Sequence, residues 1–310
     1  MIHITNKLML FSWNVRQGGG KRIDEQLNVI RDLHPDLVAL QEMTIKNVDQ
    51  YSEALKGLGF NHIHNTFKLI SEPSIIVGPR RYGLLIASKW PLEIINDFVI
   101  PWEERVLGVK VDSPVGHIEL YNSHVPPGSS NGWVKIDTFE GIFNKLACYS
   151  CNHRILCGDF NSPQLETNDG EIITWGQVLY KDGSWRLPPK SEKWDAGERS
   201  VLERLSNYDL GDVYRSLYGF AKSDYSFILK RKDKVFPRRF DHCFASKTLN
   251  PVSFKYLHIY REQKLSDHSP FIVTFQPNHL DKNLHEGEKT RSDKFSYTEE
   301  EFRVLRDIKK

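Results

Sequence analysis

Long apolar runs are missing from this chain of 310 residues. No stretch approaches the roughly 20 apolar residues that span a bilayer, and the opening MIHITNKLMLFSW has no basic leader followed by a long apolar region. The expectation is a soluble, unprocessed protein. Cysteine is scarce, with only four residues, which excludes the disulfide framework of small secreted domains and suggests a reducing cytoplasm. Cys148, Cys151 and His153 are close in sequence, but a zinc centre calls for a second pair at similar spacing, and Cys157 and Cys243 do not supply one. Buried or half-buried thiols are expected instead. An excess of one charge is also absent: Lys plus Arg number 42 against 40 for Asp plus Glu, so any basic surface is local. Self-similarity at 20–50 residues is lacking, which excludes a solenoid. The run Gly18, Gly19, Gly20 does not continue into a Walker loop, since Lys21 is followed by Arg22.

What is present is a globular composition, 39% hydrophobic and 12% aromatic, arranged in alternating periods. LMLFSW from Leu8 reads as a strand ending at Asn14. Ile23, Leu27, Ile30 and Leu33 recur at helical spacing until Pro35 forbids continuation. LVALQ is the next strand, ending at Glu42, and Val48–Leu58 the next helix. Strand, helix, strand within about forty residues is the signature of a layered α/β domain. From Phe60 to Asn122 the period becomes two, and GLLIAS, RVLGVKV and HIELYNS are expected to pair as antiparallel strands. A helix over Trp133–Leu146 and a strand RILCGDF follow. Residues 162–197 show no clean period and are expected to be an insertion with little regular structure. Further strands are expected at Ser226–Leu229, Phe240–Ala245, Phe254–Ile259 and Phe271–Phe275. The reading gives one domain over 1–276 and a charged tail over 277–310, with a helix from Thr298 capped by Glu301.

Polar residues stand just past the ends of apolar strands: Asn14, Glu42, His124, and Asp159 with Asn161. In open α/β sheets, strand ends are where ligands bind. Asp241, in Arg239-Phe240-Asp241, and Ser266-Asp267-His268 abut strands in the same way. An Asp that meets a His holds the imidazole charged and oriented to donate to a phosphate oxygen.

Together SWNV, DLVALQEM, YGLLIASK, YNSHVPP, CGDFNSP, RRFDHCFAS and LSDHSP resemble, in order and over residues 8–275, the endonuclease/exonuclease/phosphatase family. That family includes exonuclease III-like repair nucleases, neutral sphingomyelinases, inositol polyphosphate phosphatases and DNase I. The resemblance implies a four-layer α/β sandwich of two packed mixed β-sheets flanked by helices. It implies that Glu42, with Asn14 and Asp267, holds Mg²⁺ or Mn²⁺. Asp159, oriented with Asn161, would position and deprotonate the attacking water, while His268, supported by Asp241, stabilises charge developing on phosphorus and His124 contacts the phosphate from another side. The sequence departs from the repair nucleases at Arg16, where an acidic residue often stands, and at His124, where tyrosine is usual. The number of metals is left open.

Lys230, Arg231 and Lys232, in a segment of six basic residues against one acidic that ends at Arg239, are the candidates for gripping a nucleic-acid backbone, although a solvated hairpin tip explains such a run nearly as well. Tryptophans in the insertion can stack on bases or simply pack it down. The leading expectation is a DNA endonuclease or exonuclease. The alternative is a phosphatase or phosphodiesterase acting on a small or lipid-linked phosphate, and a binding module that has lost turnover stands third. No protein or membrane partner is suggested.

Overall fold

The computed structural model describes residues 7–95 and 97–277. The tail helix expected from Thr298 lies outside them. β1 (Leu8–Asn14) sends Leu8 and Leu10 to one side and Phe11 and Trp13 to the other, the alternation of a strand covered on both faces. α1 (Ile23–Leu33) buries Ile23, Leu27 and Ile30, and left-handed His34 (φ 49°) closes it before Pro35. β2 (Leu37–Met43), α2 (Val48–Gly57), β3 (His62–Asn65), β4 (Gly83–Ser88), β5 (Leu92–Ile94), β6 (Val106–Ser113) and β7 (Gly116–His124) follow. Next come α3 (Gly128–Asn131), α4 (Val134–Leu146) and β8 (His153–Asp159).

The insertion over 162–197 is more regular than its sequence suggests. It holds two small ladders, β9 (Leu165–Glu166) with β10 (Ile172–Ile173) and β11 (Val178–Leu179) with β12 (Trp185–Arg186), and the start of α5 (Glu192–Leu202). Two-residue strands are too short to show a period. β13 (Gly211–Asp212), α6 (Val213–Tyr218), the hairpin β14 (Phe227–Arg231) and β15 (Lys234–Arg238), β16 (Asp241–Ala245), β17 (Pro251–Tyr256), α7 (His258–Glu262) and β18 (Phe271–Phe275) complete the order. The strand expected to reach Ile259 stops at Tyr256, opposite Phe271. Pro270 precedes that partner and has no N–H to carry the ladder on.

The strands form two six-stranded mixed sheets, ordered β17-β18-β1-β2-β4-β3 and β13-β16-β8-β7-β6-β5. β1 runs parallel to β2, and β7 to β8; the other pairs are antiparallel. GLLIAS (β4) was expected to pair with the strands after it, yet it joins β2 and β3 in the first sheet while β6 and β7 pair in the second. Alternation identifies a strand, not its partner. α1 and α2 cover the first sheet and α4 and α5 the second, giving four layers. Between the sheets pack Leu10, Ala39 and Ile86 from one and Leu120, Ile155 and Cys243 from the other. Of the thiols, Cys157 and Cys243 are buried, but Cys148 and Cys151, expected to be at least half-buried, are exposed because the turn after α4 runs over the surface.

The inner-facing row of each central strand turns from apolar to polar at one end: Leu8, Leu10, Ser12, Asn14 on β1; Leu120, Asn122, His124 on β7; Ile155, Cys157, Asp159 on β8; and Ala245, Cys243, Asp241 on antiparallel β16. The candidate site is therefore the polar end of the inter-sheet core.

Candidate active site

Pairing aligns these ends. His124 stands opposite Asp159 in the β7–β8 ladder, and Asp241 opposite Asp159 in the β16–β8 ladder. Glu42 has the opposite parity to inner-facing Gln41, but a left-handed backbone (φ 59°) at an irregularity between Leu40 and Met43 redirects it toward the cleft. Asn161 is also left-handed (φ 51°). Such conformations cost roughly 1–3 kcal/mol and persist where the surroundings enforce them.

Asp159 is the hub. Its Oδ2 accepts from Asn14 Nδ2 at 2.9 Å and lies 3.7 Å from both His268 Nε2 and His124 Nε2, while its Oδ1 accepts from the Asn161 backbone N–H at 2.9 Å. Burial pushes its pKa up to about 7, offset in part by His268. His268 Nδ1 lies 2.7 Å from Asp241 Oδ2. Burial opposes the charge on His268, but the carboxylates of Asp241 and Asp159 outweigh it and raise the pKa to about 10, so the ring stays cationic.

His124 is the opposite case. Burial, then Arg105 and His268, push its pKa well below the usual histidine value, so it stays neutral. Arg105 Nη1 lies 2.8 Å from His124 Nδ1. A guanidinium has only donors, so Nδ1 must accept and the ring proton sits on Nε2, facing Asp159 and Glu42. One imidazolium and one neutral imidazole thus stand on two sides of the same carboxylate.

Glu42 accepts from Asn14 Nδ2 at 3.2 Å and from the Gln17 backbone N–H at 2.7 Å. Asn14 turns its amide nitrogen to both carboxylates, and its Oδ1 accepts from Arg16 N at 3.0 Å. In this arrangement Asn14 orients the carboxylates and offers them no oxygen. Asp267 is half-buried, pairs with Arg16 at 3.4 Å, and lines with Glu42, His124, Asp159 and His268 a cleft of about 480 Å³. Asp159, Asp241 and His268 bring ligand atoms within 4.8 Å of one another. A cationic His268 repels a metal, so hard oxygen donors for a divalent cation are better sought on the Glu42 and Asp267 side.

Four supporting residues are not evident from the strand-end pattern. Arg105 follows Trp102-Glu103-Glu104, and nothing there announces a buried arginine. Phe227 lies with its ring 4.8 Å from His268. Lys135 Nζ and Trp175 Nε1 both donate to Asn161 O, at 2.9 and 3.0 Å, bracing the turn behind Asp159. Lys135 had a signal, since it occupies the buried stripe of α4 with Phe139, Ile142 and Leu146; a lysine there needs a partner, and Glu198 Oε1 at 2.9 Å supplies it. Lys230, Arg231 and Lys232 lie exposed on the β14–β15 hairpin. Arg239 requires correction. It is buried, its Nε donates to Glu166 at 2.7 Å and its Nη2 to Asp212 at 2.7 Å, so its charge is consumed inside the protein.

This fold and cluster can be compared with known proteins. A sequence profile described as the Endonuclease/Exonuclease/phosphatase family matches residues 11–268. The chain belongs to that family. The curated exodeoxyribonuclease III of Haemophilus influenzae is 22% identical over 265 residues, covering 80% of this chain and 92% of that protein. Among solved structures, an AP endonuclease from Archaeoglobus fulgidus superposes with a TM-score of 0.63 at 18% identity, covering 86% of this chain and 99% of that one. D. rerio TDP2, solved with a single-strand DNA product, gives 0.59 at 17% identity, covering 87% and 98%. Phosphoester hydrolysis aided by a divalent metal is the chemistry of the family.

Proposed function

We propose that the chain hydrolyses phosphodiester bonds in DNA with Mg²⁺ or Mn²⁺, held by Glu42 and Asp267 with Asn14 fixing the Glu42 carboxylate. The observation that carries this is Asp159 suspended between two asparagines and two histidines at the polar end of the inter-sheet core. The printed activities of the relatives, exodeoxyribonuclease, AP endonuclease and the DNA product on TDP2, support DNA as substrate.

Asp159, with a pKa near neutrality, takes a proton from water placed in line with the leaving oxygen. Asn14 and Asn161 hold that carboxylate in position. Cationic His268, anchored by Asp241, donates from Nε2 to a non-bridging phosphate oxygen, and neutral His124 donates from Nε2 on another side. Glu42 and Asp267 would hold the divalent cation, which would supply positive charge to offset the negative charge developing on the phosphate and the leaving oxygen. The exposed hairpin carrying Lys230, Arg231 and Lys232 follows the strand backbone. We assign catalysis to residues 1–276 and place the protein in the cytoplasm, which agrees with exposed, unpaired Cys148 and Cys151; among the described residues no helix is long and apolar enough to cross a membrane.

A panel of plasmid DNA, abasic duplex, single strands, RNA, inositol phosphates and sphingomyelin, with and without Mg²⁺, tests the reading. DNA should be cut in Mg²⁺ alone, and Glu42→Gln should lower kcat by about a hundredfold or more. Turnover of inositol phosphates or sphingomyelin with DNA untouched points to the small or lipid phosphate instead.

A further inference from the structure

The reaction cleft opens sideways into a second cavity of about 600 Å³, and the two share Pro127, Asn161 and Phe227. Its walls are aromatic. Trp133 and Trp194 lie with ring centroids 5.4 Å apart, Trp175 stands 6.4 Å from Phe240, and Phe240 stacks on Phe227 at 5.5 Å and 20°. Through the Phe227–His268 contact this surface is continuous with the reacting groups. Trp175 and Trp194 spend their N–H groups on Asn161 O and Glu198 Oε1, so what they present to the cavity is π surface without donors. Lys190 and Arg231 also line it, the Arg231 guanidinium 5.9 Å from the Trp175 ring. A volume of this size lies within the roughly 300–1,000 Å³ of ligand pockets.

The occupant must be joined to a phosphate lying against His268, present flat faces to indole rings, and bring further negative charge to Arg231 and Lys190. A base brings a flat π face to the indoles and its strand brings further phosphates to the cations, whereas an acyl chain has no use for the cations. We propose that this cavity receives an unstacked nucleobase from the nucleotide adjoining the phosphate that is cut, so that the enzyme prefers single-stranded or frayed DNA. A paired base would first have to leave its stack, at a cost a free strand does not bear. The proposal rests on the DNA-hydrolase reading and sharpens its substrate.

The test uses the full chain and oligonucleotides carrying one 2-aminopurine, or one tetrahydrofuran abasic analogue, beside the cleavage position. Titration in EDTA reports binding without cutting: 2-aminopurine fluorescence should fall at least about twofold at saturation as the base stacks on indole. Trp133→Ala, at a residue 48% exposed and thus safe for folding, and Trp194→Ala should relieve that quenching. In Mg²⁺ Trp133→Ala should raise KM roughly tenfold for the base-bearing strand and leave the abasic strand unchanged. Fluorescence that stays constant through saturation overturns the proposal, as does equal kcat/KM with and without the base. In the latter case DNA hydrolysis stands and only the cavity assignment falls. If no strand is cut, hydrolysis of DNA falls, and the EDTA titration still decides the cavity.

Discussion

Replacing Arg105 with methionine removes the donor that fixes the His124 proton on Nε2, leaving the ring free to adopt the tautomer that presents a lone pair to the phosphate. A hydrogen bond of this kind contributes about 1.4 kcal/mol, so kcat should fall roughly tenfold with KM little changed. Arg105→Lys, which keeps one donor, should recover part of the loss; equal kcat for Arg105→Met and wild type would show that the tautomer does not matter. Glu166 makes a separate prediction, on stability. Burial alone raises its pKa, but Arg239 and Arg215 outweigh that and hold the folded value at about 2, against 4.5 for the free side chain. A depressed folded pKa means the ion cluster stabilises the protein above the unfolded value and loses that contribution as pH falls toward 2. The difference amounts to roughly 3 kcal/mol. Denaturant titrations between pH 5 and 2 should show a steep acid limb in wild type and a shallower one in Glu166→Gln.

At the scale of elements, the β14–β15 hairpin is the part that reaches outward. Lys230, Arg231, Lys232 and Lys234 are exposed on it, and each phosphate neutralised on a single strand contributes about 0.7 to the slope of log affinity against log salt. Neutralising all four should weaken DNA binding and reduce that slope by about 2 to 3, measured by anisotropy at several salt concentrations. An unchanged slope would mean that the hairpin tip is merely solvated. Elements of this size were legible in the sequence because their periods are long enough to read: α1, α2 and α4 lie within a residue or two of the expected spans. The strand ends were legible as well, since an apolar run that stops at Asn14, His124 or Asp159 shows where the core gives way to chemistry. What could not be read were partners fixed by tertiary packing. Nothing local distinguishes Arg239, consumed by Glu166 and Asp212, from Lys230 a few residues earlier, and nothing local puts β4 beside β2 instead of β6.

Across the whole molecule, a buried polar bridge couples the two sheets beneath the site. Asn122 on β7 donates to the carbonyls of Leu40 and Leu85 at 2.9 and 3.1 Å and accepts from Gln41 Nε2 at 2.7 Å, all three in the opposite sheet. Asn122→Ala takes the side-chain donors from both carbonyls and leaves Gln41 Nε2 with only Ser12 Oγ and Ala39 O, at 3.0 and 3.2 Å, at a cost of about 1–3 kcal/mol. It should also lower kcat, because Glu42 and Asp159 depend on this registration of sheet on sheet. Urea unfolding together with kcat at saturating Mg²⁺ checks both; a loss of stability without loss of kcat would show that Asn14 alone keeps the register. The site draws its members from Asn14 early in the sequence to His268 late in it, and β1 sits between β2 and β18, the last strand among the described residues. Synthesis runs from the N-terminus at about 5–20 residues per second, so a chain emerging from the ribosome lacks His268 and its flanking strand until nearly all of residues 1–275 have been made. An unfinished copy therefore holds Asp159 and Asp241 without the imidazole that stands between them, and the scissors have no second blade until His268 has been added.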